Sequence, residues 1–84
     1  MTAQAQQRSA RFAADAAELT VQELWLHYFS IGGNVRAFEL DAYLNGVYPL
    51  PVGDRNLVAL ALNELIDDLP QRPRAVFDDD VVSP

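Results

Sequence analysis

The sequence predicts an all-α protein: a compact three-helix domain, with room for a fourth helix at its N-terminus, followed by an acidic C-terminal tail. Apolar side chains recur at helical spacing in three stretches between residues 19 and 70, and residues that start or stop helices bound each stretch. Half of the 84 residues are hydrophobic, which is ordinary for one globular domain. We therefore divide the chain into an N-terminal segment 1–18, a helical domain 19–70 and a tail 71–84.

The N-terminal segment, residues 1–18, is rich in alanine and glutamine. Phe12, Ala16 and Leu19 follow the i, i+4, i+7 spacing that places side chains on one face of a helix. The segment carries no recognisable cap, and this face is only weakly apolar. If the segment is helical, these three residues form its apolar face.

The first helix of the domain begins with a capping box, in which Thr20 precedes Glu23 by three residues. Gly32 and Gly33 suit the left-handed turn that ends a helix, so the helix should run from about Val21 to Ile31. Its apolar arc is wider than a surface helix needs, so either other segments or a second chain must cover it. We interpret Trp25 and Phe29 as core side chains, because a three-helix domain needs large residues at its centre. The arc consists of Val21, Leu24, Trp25, Tyr28, Phe29 and Ile31.

A second helix should follow, capped by Asn34, running from about Arg36 to Asn45 and stopped by Gly46. Phe38 projects away from its predicted core stripe. Two prolines then make residues 46–51 a connection, because proline lacks a backbone donor and holds its predecessor extended. The core stripe is Ala37, Leu40, Tyr43 and Leu44.

The third helix should begin at Gly53-Asp54, with Asp54 as its cap, and end before Pro70. Leu60 projects from its polar side, and a single exposed leucine is common in soluble proteins. Beyond it, the acidic run 78–80 and flanking prolines indicate a solvated tail, with a short docking peptide as the alternative. The wide apolar face consists of Leu57, Val58, Ala61, Leu62, Leu65, Ile66 and Leu69.

The sequence offers little for catalysis or metal binding. It contains no cysteine and one histidine, His27, so we expect no disulfide, no thiolate metal site and no cofactor. Glu23 and His27 stand four residues apart, and we interpret them as a surface pair on one helix face. No nucleophile stands out elsewhere. We therefore expect a protein that is not an enzyme and has no small-molecule substrate.

The charge argues against nucleic acid and membrane partners. The net charge is −6, and residues 19–69 contribute −5, from two arginines against seven acidic residues. No apolar run is long enough to span a bilayer, and we expect a cytoplasmic protein. The Gly32-Gly33 turn between two helices keeps a DNA-binding helix-turn-helix regulator as the alternative function.

Three segments of the chain, residues 23–33, 39–46 and 62–64, resemble small helical proteins of actinobacteria. The resemblance covers about residues 19–67 and neither end of the chain. It implies a helical fold and an actinobacterial lineage, consistent with six basic residues that are all arginine. No activity is established for that group, so the resemblance implies no site.

Size and composition favour association. A helical domain of about 50 residues usually relies on disulfides, metals or oligomerisation, and the sequence provides for neither of the first two. We therefore expect a bacterial regulatory or adaptor module that forms a homo-oligomer, such as a homodimer, or binds another protein through exposed apolar surface. The predicted interface residues are Leu26, Phe38, Tyr48 and Leu60.

Overall fold

The computed structural model describes residues 1–68, which form four α-helices and no strand. The helices are α1 (Ala3–Ala16), α2 (Val21–Ser30), α3 (Ala37–Leu44) and α4 (Val52–Asp68). The predicted all-α fold is confirmed, and α1 is the fourth helix. The predicted acidic tail and Leu69 lie outside the described residues.

Helix α1 packs through alanines. It begins at Thr2, whose hydroxyl accepts a hydrogen bond from the Ala5 amide at 3.0 Å. Its buried residues are Ala10 and Ala14, whereas Phe12 is 74% exposed. At about 100° per residue, Phe12 lies about 200° from each of these alanines, so both faces cannot be buried. The predicted apolar face was wrong for Phe12 and Ala16, which are exposed, whereas Leu19 is partly buried against the core just past α1. The alanine face is the one that α1 buries as it packs against α3 and α4.

Helices α1, α2 and α3 end in the same backbone motif. In each, the residue two positions past the helix end has a positive φ: Glu18 at 58°, Gly32 at 106° and Gly46 at 77°. The amide of the following residue donates a hydrogen bond to a carbonyl in the last turn of the helix, as the Leu19 amide does to the Ala14 carbonyl at 2.9 Å. This Schellman arrangement normally uses glycine, because a side chain is strained in the left-handed region. Glu18 is thus the strained member of the three.

The N-cap of helix α3 is Arg36 rather than the predicted cap, Asn34. The Arg36 amide donates to the Glu39 carboxylate at 2.9 Å, which is half of a capping box. The Asn34 amide donates to the Tyr28 hydroxyl at 3.2 Å. Asn34 therefore belongs to the connection between α2 and α3.

Helix α4 begins at Val52, just before the predicted start at Gly53-Asp54. The Pro51 carbonyl accepts the first helical hydrogen bond, from the Arg55 amide at 2.9 Å. Asp54, predicted as the cap, lies within the first turn and accepts a hydrogen bond from the Tyr28 hydroxyl at 3.1 Å. The prediction failed because the carboxylate binds a side chain of another helix instead of its own backbone.

The core lies where α1 and α2 each pack against both α3 and α4. The predicted stripes of α3 and α4 supply most of it, which confirms their assignment. Phe29 is exposed and Trp25 is only partly buried, so the prediction that both are core residues was wrong for Phe29. The buried residues are Ala10, Ala14, Leu24, Tyr28, Leu40, Tyr43, Leu44, Leu50, Val58, Ala61 and Leu62.

We expect Glu18→Gly to stabilise the protein by about 0.5–1 kcal/mol, because glycine relieves the left-handed strain at the end of α1. Gly32→Ala makes the opposite change, from glycine to a residue with a Cβ, at the equivalent position after α2. The added Cβ would have no atom within 4 Å, so the only expected effect is backbone strain. It should cost about 1 kcal/mol. Urea unfolding followed by Trp25 fluorescence measures both, and a Glu18→Gly variant less stable than the native chain would contradict this reading.

Candidate interaction surface

One exposed cluster on α2 combines two aromatic rings and a leucine, and we call it the α2 patch: Trp25, Leu26 and Phe29. The rings of Trp25 and Phe29 stack at 21°, with centroids 5.2 Å apart. Leu26 precedes Phe29 by three residues, so their side chains are neighbours on the helix surface. Leu26 and Phe29 are 53% and 57% exposed, which leaves more than half of each side chain uncovered by the chain's own fold.

The α2 patch exists because α2 buries only one narrow side. Leu24 and Tyr28 are its fully buried residues. At about 100° per residue, Leu26 lies about 160° from both, and Phe29 lies about 100° from Tyr28 and 140° from Leu24. In the sequence, the width of the apolar arc of α2 indicated that not all of its residues could face one core. The outward stripe of α2 consists of Gln22, Leu26, Phe29 and Ser30, all exposed and uncharged.

Trp25 anchors the edge of the α2 patch nearest α3. Its indole Nε1 donates to the Val35 carbonyl at 2.8 Å, which fixes the ring against the connection between α2 and α3. Partial burial and this hydrogen bond restrict the χ angles of the tryptophan, so its ring forms a rigid part of the surface. The α2 patch is therefore pre-ordered and not a set of freely moving side chains.

The other predicted interface residues lie on three different elements. Phe38 lies on α3, Tyr48 in the connection between α3 and α4, and Leu60 on α4, and all three are exposed. The structure brings Leu26 together with Phe29, which the sequence analysis had assigned to the core. Leu60 stands among polar residues of its own helix face, Asn56, Asn63 and Asp67.

The predicted pairing of Glu23 with His27 was wrong. The Glu23 carboxylate accepts from the Thr20 amide at 2.8 Å and completes the capping box. His27 instead lies 2.8 Å from a carboxylate oxygen of Glu64, joining α2 to α4. Glu23 thus caps α2, and His27 holds α2 against α4. The part of the chain that the structure describes contains no cluster of three or more metal-binding side chains.

A cavity of about 190 Å³ lies where the start of α1, the end of α3, residues 46–50 and Arg55 meet. We call it the α1–α3–α4 cavity. Tyr43 lines it with only 2% of its surface exposed, and its hydroxyl has no hydrogen-bond partner among residues 1–68. Burial raises the pKa of Tyr43, and the positive charge of Arg55 lowers it in part. Sequence reasoning missed this site, because its polar members come from separate elements.

None of the four helices in residues 1–68 is both long enough and apolar enough to cross a membrane. No protein-family model, curated protein or solved structure matches the chain.

We expect alkaline pH to destabilise the protein through two tyrosines. Burial is the main cause that raises the pKa of both Tyr28 and Tyr43 above the ordinary value of 10.0. Above about pH 10 the unfolded chain therefore releases protons that the folded chain retains, so the free energy of unfolding falls as pH rises. The chain has no lysine or cysteine to titrate in the same range.

Urea unfolding between about pH 8 and pH 11 measures this effect, and the loss should reach at least about 1 kcal/mol. Tyr43→Phe should reduce the slope without removing it, because Tyr28 still titrates. A free energy of unfolding that stays constant across this range would contradict the assignment.

Proposed function

We propose that this chain is a non-enzymatic interaction module, a bacterial regulator or adaptor of the cytoplasm, whose α2 patch pairs with the same patch of a second copy. The observation that carries the proposal is the exposed, uncharged stripe on α2, built around the stacked rings of Trp25 and Phe29. The core is filled by other residues, so this stripe remains for a partner.

The composition of the stripe favours a protein interface. Large aromatic side chains contribute much of the binding energy at the centres of interfaces, where charged residues are depleted. One residue in five of the chain is charged, yet Gln22, Leu26, Phe29 and Ser30 are not. The stacked geometry of Trp25 and Phe29 also lowers the entropy lost on binding, because these side chains are already ordered.

A second copy suits the shape of this surface. Helix α2 has 10 residues and is therefore about 15 Å long. In a two-fold dimer, the α2 helices of both chains would cross at the α2 patch, with each Leu26 packed beside the rings of the other chain. The four residues of the stripe are uncharged, and the Glu23 carboxylate at its edge already accepts a hydrogen bond from the Thr20 amide.

The net charge of the chain shapes how such a dimer depends on salt. Each copy carries −6, so two copies repel one another at long range. Salt screens that repulsion, so the dimer should tighten as salt rises, whereas binding to a basic partner protein should weaken. The direction of the salt effect therefore distinguishes the two kinds of partner.

The alternative, a DNA-binding helix-turn-helix protein, has less support. Its recognition helix would be α3, which carries Glu39 and Asp41. Residues 1–68 hold four arginines against nine acidic residues. Phosphate contacts need basic side chains, and this balance repels a nucleic acid backbone.

We expect light scattering and sedimentation equilibrium to give a mass that rises with concentration toward twice the 9.3 kDa of one chain. The double variant Leu26→Gln/Phe29→Gln should weaken the dimer about 1,000-fold, since it removes two interface side chains from each copy and each contributes about 1 kcal/mol. Both residues are exposed, so the free energy of unfolding of the monomer should change by less than about 0.5 kcal/mol per substitution.

Leu60→Gln is the matched control, because it removes an equally exposed leucine that lies among polar residues. It should leave the dissociation constant unchanged within about two-fold. A chain that stays at 9.3 kDa at about 0.5 mM would overturn self-association. Loss of the dimer in Leu60→Gln, but not in the α2 double variant, would place the interface elsewhere.

A further inference from the structure

The α1–α3–α4 cavity is large enough for a small organic molecule. Its volume is about 190 Å³, and it is open to solvent on one side, since several of its lining residues, such as Gln4 and Val47, are exposed. Much of the wall is apolar, including Ala3, Val47, Pro49 and Leu50. Polar groups are few and come from separate elements, which is the usual composition of a ligand site. No residue of α2 lines the cavity, so this inference does not depend on the proposed dimer.

Among residues 1–68, Arg55 is the only charged side chain that lines the cavity. Its Nε donates to the Gln6 side chain at 3.0 Å, and one terminal nitrogen donates to the Leu50 carbonyl at 2.7 Å. These bonds use two of its roughly five N–H donors and hold the guanidinium in place. In a chain with a net charge of −6, a fixed cation with no acidic neighbour among the described residues of the cavity wall suits a negatively charged ligand.

Tyr43 adds an independent polar group to the same wall. Its hydroxyl is buried and has no hydrogen-bond partner in the described residues, which is rare for a buried polar atom. The charge of Arg55 is close enough to oppose the effect of burial on this hydroxyl.

We propose that the α1–α3–α4 cavity binds a small organic carboxylate, whose oxygens accept hydrogen bonds from the Tyr43 hydroxyl and the Arg55 guanidinium. The apolar part of the ligand contacts Val47 and Leu50. A carboxylate fits better than a phosphate group, because one arginine matches a single negative charge and the rest of the wall offers little to a dianion. Tyr48, predicted as an interface residue, forms part of this wall.

Titration of the isotope-labelled full chain with benzoate and butyrate, followed by backbone amide NMR, tests the proposal. Benzamide and butyramide are matched neutral probes of nearly the same shape. Each carboxylate should bind at least about tenfold more tightly than its amide, because only the carboxylate pairs with Arg55. The largest shifts should occur at Gln7, Gly46, Leu50 and Arg55. Equal affinity for acid and amide, or no shift at about 50 mM carboxylate, would overturn the proposal.

Tyr43→Phe tests the hydroxyl alone, because it keeps the packing of the ring. It should weaken benzoate binding about fivefold to tenfold while leaving the midpoint of urea unfolding unchanged or higher, since the hydroxyl has no partner to lose. Unchanged affinity in this variant would contradict the assigned role of the hydroxyl.

Arg55→Gln should weaken benzoate binding at least about tenfold. Arg8→Gln is the control, because it removes the same charge from an exposed position on α1 that does not line the cavity. Equal weakening by both arginine variants would show general attraction of anions by the chain and would overturn the site. Tyr43→Phe keeps the test decisive if Arg55→Gln loses its fold.

Discussion

The fold depends on the buried phenol of Tyr28. This side chain is fully buried, and its hydroxyl donates to the Asp54 carboxylate at 3.1 Å while accepting from the Asn34 and Val35 amides at 3.2 and 3.0 Å. It thereby ties α2 to the connection that follows it and to the first turn of α4. Its ring also requires glycine at position 33, where a Cβ would overlap ring carbons of Tyr28. One side chain thus fixes the position of three segments.

This arrangement also explains why α2 has apolar surface to spare. Tyr28 and Leu24 commit one side of a short helix to the core, and His27 binds Glu64 at the edge that faces α4. Phe29, next in sequence to Tyr28, is turned about 100° away from it. The opposite side of α2 therefore remains exposed because of helix geometry, and its apolar composition is what favours a partner there.

The start of α2 and the ends of α2 and α3 were predictable from sequence, whereas the starts of α3 and α4 and several side-chain roles were not. The capping box at Thr20 and the glycines at 32 and 46 act locally, so their residue types reveal the turns. Aspartate is a residue type that often caps helices, yet Asp54 binds Tyr28 of another helix. No local sequence pattern encodes that contact. Phe12 has the larger apolar side chain on α1, but the alanine face is the one that is buried.

The two candidate sites also differ in how far the sequence predicts them. The α2 patch belongs to one helix, so the width of its apolar arc indicated surplus surface, although the arc alone did not show which residues were exposed. The α1–α3–α4 cavity depends on Tyr43 and Arg55, which lie 12 positions apart in sequence and on different helices. Their meeting is a consequence of packing, and so is the missing partner of the Tyr43 hydroxyl.

A double-mutant cycle between Tyr28→Phe and Asp54→Ala tests the role of the Tyr28 hydroxyl most directly. The measured quantity is the free energy of unfolding in urea of the native chain, the two single variants and the double variant. Tyr28→Phe should cost about 2 kcal/mol, because it leaves the Asn34 and Val35 amides and the Asp54 carboxylate without their partner. The coupling energy should be about 1 kcal/mol or more. Additive effects, with Tyr28→Phe costing less than about 0.5 kcal/mol, would contradict the account.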